Sequence, residues 1–201
     1  MDPIVLLVMA GLAAYALKTQ DQRRRITLLG THLQNYSLEK HMETLTEGYL
    51  RALGESDAER SEQIWGLMRA NETALSEQLG RLANDMSRLD ADAVRISKLA
   101  WAIPFADRLF PTATFDLRKA ISIHAQGVAN AIDDHPVRSD KDKAFTVMAE
   151  MYLFQHTCHW YCRSKTVASA RLMARHRTAY AQVLAAVSPD TRRAYTNLIE
   201  G

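Results

Sequence analysis

The sequence predicts an all-α protein: an N-terminal transmembrane helix followed by long helices that form a helical bundle or a coiled-coil hairpin. Three observations carry this. Breakers are scarce, with 8 Gly and 5 Pro in 201 residues, so residues that lose little rotamer freedom in a helix dominate. Apolar residues recur at alternating steps of three and four from Trp65 to Ile103, the spacing that keeps one seam of a helix turned toward a partner. An uncharged apolar run opens the chain from Ile4 to Leu17. The charged fraction of 24% is ordinary, which excludes disordered and collagenous classes.

Residues 1–25 read as a membrane anchor with a basic flank. As a helix the run from Ile4 to Leu17 rises about 21 Å against a hydrocarbon core of about 30 Å, so spanning requires Met1–Thr19, a snorkelling Lys18 and a locally thinned bilayer. A secretory signal carries positive charge ahead of its apolar stretch, whereas the early charge here is Asp2; the segment is expected to be retained. Lys18 and Arg23, Arg24 and Arg25 follow the run, and the positive-inside rule holds that side in the cytoplasm. The expectation is a single-pass protein of the inner (cytoplasmic) membrane, N-terminus outside and the bulk of the chain cytoplasmic. Two cysteines that do not resemble a disulfide framework fit a reducing compartment. The competing reading is a buried core helix, since the run is apolar all round rather than along one stripe.

Residues 26–103 read as a long helical or coiled-coil hairpin. One arm carries Ile26, Leu29, Leu33 and Tyr36, then a shifted register at Leu38, Met42, Leu45, Tyr49 and Ala52. Gly54 ends it, and Ser56 with Glu59 offers a capping box for the next arm. Along that arm Leu75, Leu79, Leu82, Met86, Leu89 and Ile96 are the candidate interaction residues, with Glu72 interrupting the stripe. Their partner is either internal or a second chain, the protein itself or another helical protein. Pro104 is expected to stop the helix near Ile103. The aromatics Trp101, Phe105, Phe110 and Phe115 at this corner are expected to plug the end of a bundle, with contact to a bilayer surface as the alternative.

Residues 104–201 read as a C-terminal helical region completing the bundle. A helix is expected over 114–134, with Leu117, Ile121, His124, Val128 and Ala131 on one stripe, closed by "DDHP". His124 there reads as a buried, hydrogen-bonded histidine rather than a ligand. A long helix is expected from the "SDKD" start at Ser139 toward Val187, and "SPD" at Ser188–Asp190 restarts a last one.

The stretch "QHTCHWYCRSK" holds both cysteines. On a helix Cys158 and Cys162 lie about 40° apart and share a face with His159. Thiolate and imidazole suit zinc or copper, which makes these three a candidate metal site, although a fourth ligand is missing. Arg163 and Lys165 nearby favour a thiolate, which adds a thiol-redox sensor to the alternatives. The bland reading places Ala144, Met148, Met151, Gln155, Cys158 and Cys162 on a packed stripe, with His156 and Trp160 turned outward or sideways.

Charge is unevenly spread. Residues 55–100 carry a net −3, and residues 138–201 a net +5. The basic stretch is expected to dock on the acidic middle of the chain; alternatively Arg163, Arg171, Arg175 and Arg177 grip membrane lipid, and nucleic acid is disfavoured by the small net charge of +2. No phosphate loop, nucleophile elbow or zinc-protease motif is present, so the expectation is no enzyme and no required cofactor. The leading reading is a membrane-anchored helical interaction or scaffold protein.

Overall fold

The computed structural model describes residues 2–133 and 139–201. Among these the chain forms nine α-helices and one two-stranded ribbon, and the helices pack against one another as a bundle.

Helix α1 (Pro3–Leu33) starts where Asp2 accepts the Ile4 amide and Pro3 supplies a helix-ready φ. It continues unbroken past residue 25, so the apolar run and the residues that pack on the body share one rod of about 46 Å. The register shift in the sequence marks a real break. The chain turns over 34–37, where Gln78 Oε1 accepts the Ser37 amide at 2.7 Å, and helix α2 (Leu38–Gly54) begins. The hairpin with α3 (Ala58–Ser87) forms as expected, but Asp57 rather than Ser56 caps it, accepting the amides of Glu59 and Arg60. Gly48 lets α2 and α3 close up: a Cβ there would lie 2.1 Å from Met68 Sδ.

Helix α3 stops at Ser87, well before Pro104. No breaker marks the spot. Instead Arg118 Nη1 takes the Leu89 carbonyl at 2.7 Å, and Asp90 bonds the Asp92 amide. The chain then enters a 3₁₀ turn (Asp92–Val94) and strand β1 (Arg95–Ser97). Strand β2 (Thr114–Asp116) returns antiparallel, pairing Ile96 with Phe115. Between the strands lies a collar, residues 98–113, with the short helix α4 (Ala106–Leu109). The aromatic plug is only partly realised. Phe115 is buried edge-on against Trp160 at 5.0 Å, whereas Phe110 and Trp101 are exposed, Trp101 at 77%.

Helix α5 (Leu117–Ile132) buries all five residues of its stripe. The expected "DDHP" stop begins at Asp133, and its remaining residues lie outside the described ones. Helix α6 (Asp140–Cys162) has Ser139 as its cap. It ends at Cys162 rather than running toward Val187, because Ser164 leaves the helix and caps α7 (Lys165–His176) through the Val167 amide. Arg177, in the left-handed region at φ 51°, ends α7. Helix α8 (Tyr180–Ala186) and α9 (Pro189–Glu200), capped by Ser188, complete the chain.

Helix α6 is the central element, touching α1, α2, α5, α7 and α8. This explains why it shows no amphipathic stripe: His156 and Trp160, expected to look outward, are buried with the rest. Trp160 Nε1 donates to the Ser97 carbonyl at 2.8 Å, and His156 stacks on Tyr180. The heptad seam also faces inward. Leu75, Leu79, Leu82 and Met86 are fully buried in the chain's own core, Ile96 reaches it from β1, and Leu89 packs at its edge. The partner of the seam is internal. Glu72, the interruption, is 4% exposed and satisfied by the Tyr49 hydroxyl (2.6 Å) and by Lys143 Nζ (2.8 Å).

Candidate functional site

Burial sorts the candidate side chains into enclosed and exposed groups. The Cys158 thiol is enclosed, and burial pushes its pKa upward; burial likewise lifts the half-buried Cys162 to about 11, against the opposing pull of Arg163. In the metal-free fold the thiol form of both is therefore favoured over thiolate. His159 Nδ1 accepts from Arg171 at 3.3 Å, and burial, then Arg171 and Arg175, lower its pKa. Among the described residues no group of three His, Cys, Asp or Glu side chains is arranged to hold a metal. Cys158, His159 and Cys162, the expected zinc or copper set, lie together toward the end of α6, and Glu39 of α2 lines the same groove as Cys158 and His159.

A second polar cluster is equally enclosed. Thr157 Oγ1 lies 2.9 Å from His124 Nε2, 2.7 Å from the Tyr195 hydroxyl and 3.0 Å from the Leu153 carbonyl. Burial lowers His124 to about 3 and His156 to about 4. Nearby, Glu150 accepts from the Ser188 amide and hydroxyl, both at 3.0 Å, and burial raises its carboxyl pKa. These groups stitch α5, α6 and α9 together. His124 and Glu150 have no exposed surface from which to meet a substrate.

What remains on the outside is the apolar half of α1 and its base. The helix is long and apolar enough to cross a membrane, and none of its most apolar 18-residue stretch is buried. Ile4, Leu7, Val8, Met9 and Leu12 stand free of the body. A contiguous apolar surface of this extent on a folded chain calls for a cover other than water.

Below that stretch α1 is fixed to the body by buried charge. Arg25, 7% exposed, reaches Asp107 at 2.8 Å, Asp21 at 3.3 Å and the Arg95 carbonyl at 2.9 Å, and lies over the Tyr161 ring. Asp21 also accepts the Phe105 amide, and Arg24 meets Asp107 at 3.7 Å. The collar therefore clasps α1 just past its apolar end. In the sequence Arg25 belongs to the basic flank, but in the fold its charge is paired inside the protein with Asp21 and Asp107. Its two carboxylate partners lie four residues upstream and far along the chain, and only Asp21 was detectable, by its i,i+4 spacing.

The basic stretch meets the acidic middle through the Lys143–Glu72 ion pair at 2.8 Å, while its arginines turn elsewhere. Arg163 donates to Gln22 Oε1 of α1 at 2.6 Å, Arg171 to His159, and Arg175 to Glu39 of α2 at 3.5 Å. No family model matches this chain, and neither a curated protein nor a solved structure does. The four predicted arginines are thereby divided. Arg163 and Arg171 line a groove of about 750 Å³ together with Lys18, Arg23, Tyr15 and Trp101; Arg171 also borders a second groove, which Arg175 faces with Glu39 and Gln155, and Arg177 serves as the end of α7.

Proposed function

We propose that the protein is a single-pass membrane-anchored helical domain whose role is interaction: α1 holds the bundle at the inner face of a membrane, where it meets a second copy or another component of a membrane assembly. The observation that carries this is the naked apolar half of α1 on a body whose other helices bury their apolar faces. Orientation follows from the exposed cations Lys18 and Arg23 directly behind the apolar run, by the positive-inside rule. Because the heptad seam is filled from within, contact with a partner falls to outward residues, and tethering acts by raising local concentration.

Membrane fractionation of the full chain with a C-terminal reporter tests the reading. The expected result is carbonate-resistant membrane association, a tail shielded from protease added to intact cells, and release to the soluble fraction when residues 3–17 are deleted. Ala14, Tyr15 and Ala16 have the small-x-small pattern of a signal-peptidase site, so the mass of the mature chain is part of the experiment. Loss of the first residues on export, or a freely soluble full-length chain, overturns the proposal.

A further inference from the structure

The groove at the base of α1 gathers four cations from three places in the sequence. Lys18 and Arg23 come from α1, Arg163 from the end of α6 and Arg171 from α7; all four are exposed, and none of the groove's lining residues is acidic. The polar contacts of Arg163 and Arg171 go to neutral acceptors, Gln22 Oε1 and His159 Nδ1, so their charge is not cancelled there. The charges that fix α1 to the collar, buried Asp21, Asp107 and Arg25 with the partly exposed Arg24, balance one another. The cleft therefore carries a net positive field, and a concave low-dielectric wall concentrates it.

Its position identifies the ligand's source. The groove's α1 residues run from Tyr15 to Ile26, beginning within the last turn of the apolar run. With the apolar run in hydrocarbon, the next residues descend through the headgroup layer, which adds roughly 5–8 Å on each side of the core. Tyr15 and the exposed Trp101 line the same groove, and amphipathic rings of this kind settle at that depth.

From these observations we infer that the groove is a seat for the phosphate headgroup of an anionic phospholipid, gripped by Lys18, Arg23, Arg163 and Arg171 while the acyl chains lie along α1. The inference rests on the membrane reading of α1. Trp101 and Tyr15 bound the seat on the bilayer side, and the arginines at the end of α6 and on α7 provide planar, multidentate phosphate contacts.

The test uses the full-length chain inserted into nanodiscs of phosphatidylcholine alone or of phosphatidylcholine and phosphatidylglycerol in equal parts, with retained lipid counted by native mass spectrometry. The wild-type chain is expected to retain phosphatidylglycerol in preference to phosphatidylcholine. In the R163Q/R171Q variant that preference falls by roughly tenfold, with an unchanged circular dichroism spectrum. R192Q/R193Q, which removes equal charge from exposed positions of α9, keeps the preference. Glycerol phosphate added in solution is expected to compete poorly; full displacement by it would assign the groove to a free phosphate compound and overturn the lipid inference. Insertion into both discs with equal retention of the two lipids overturns the seat and leaves the anchor standing, whereas failure to insert into either overturns both.

Discussion

Helix α6 and the first half of helix α1 both present apolar side chains around their whole circumference, yet five helices surround the one and nothing covers the other. Their polar residues account for the difference. Within α6 stand Glu150, His156, Thr157 and Cys158, and the first three find hydrogen-bond partners on other elements: Ser188, Ser169, and the pair His124 and Tyr195. Between Ile4 and Ala14 of α1 no side chain can donate or accept a conventional hydrogen bond. A helix meant for the inside of a protein can carry groups that its neighbours satisfy; one meant for hydrocarbon must manage without them.

The sharpest way to break this contrast is to place the same charge in both helices. Leu153→Arg in α6 puts an unpaired guanidinium at a site with no exposure, and a loss on the order of 4 kcal/mol or more is expected, enough to unfold the bundle in a urea titration. Leu7→Arg in α1 is expected to leave that titration unchanged while lowering membrane insertion by about 3 kcal/mol, read as the glycosylated fraction in an insertion assay. Equal damage to folding from both would show that α1 packs like α6.

Next in size is the joint between the two regions. Asp107→Ala leaves Arg25 buried with one carboxylate instead of two, and a cost of about 3 kcal/mol is expected in urea unfolding, with faster hydrogen exchange at the collar. Gly127→Ala follows at about 1–3 kcal/mol, because a Cβ there lies 2.4 Å from Thr191 Oγ1 and 2.5 Å from Glu150 Oε2; a Tm lowered by several degrees would register it.

Acidity separates the two regions as well. His124 and His156 are held neutral in the fold, with pKa values lowered from 6.5 to about 3 and about 4. Their unfolded forms bind protons first, so the stability they contribute is complete above pH 6.5 and is lost as pH falls toward 4. Glu150 acts in the opposite sense: its raised carboxyl pKa favours the fold at low pH, and that contribution is lost as pH rises through the folded value. The histidines are expected to prevail, giving urea midpoints that decline from pH 7 to pH 4 and a shallower decline in His156→Asn. The smallest expected effect is a gain. Arg177→Gly relieves the left-handed conformation at the end of α7 by about 1 kcal/mol, visible as a modest rise in Tm.

The places where the sequence could be read correctly are those where a local group does the work. Gly54, Ser139 and Ser188 with Pro189 mark helix ends through their own chemistry, and the chain turns there. Misreadings arose where distant residues decide. Helix α3 ends because Arg118 captures the Leu89 carbonyl, and a periodic pattern that continues through Ile96 hides this, since Ile96 is buried equally well from a strand. A single packed stripe turns His156 and Trp160 outward or sideways, yet α6 is enclosed on several sides. For the groove, Arg163 and Arg171 were visible as basic residues and Lys18 and Arg23 as a flank, but their meeting depends on how α1, α6 and α7 pack.

The clasp of Asp21, Arg25 and Asp107 has a mechanical consequence. With no hinge between the segment above it and the bundle below, the body cannot swing like a buoy on a line; any tilt of the upper rod is handed directly to the lower mass. Anything that meets the bundle therefore finds it in one fixed orientation relative to the apolar rod.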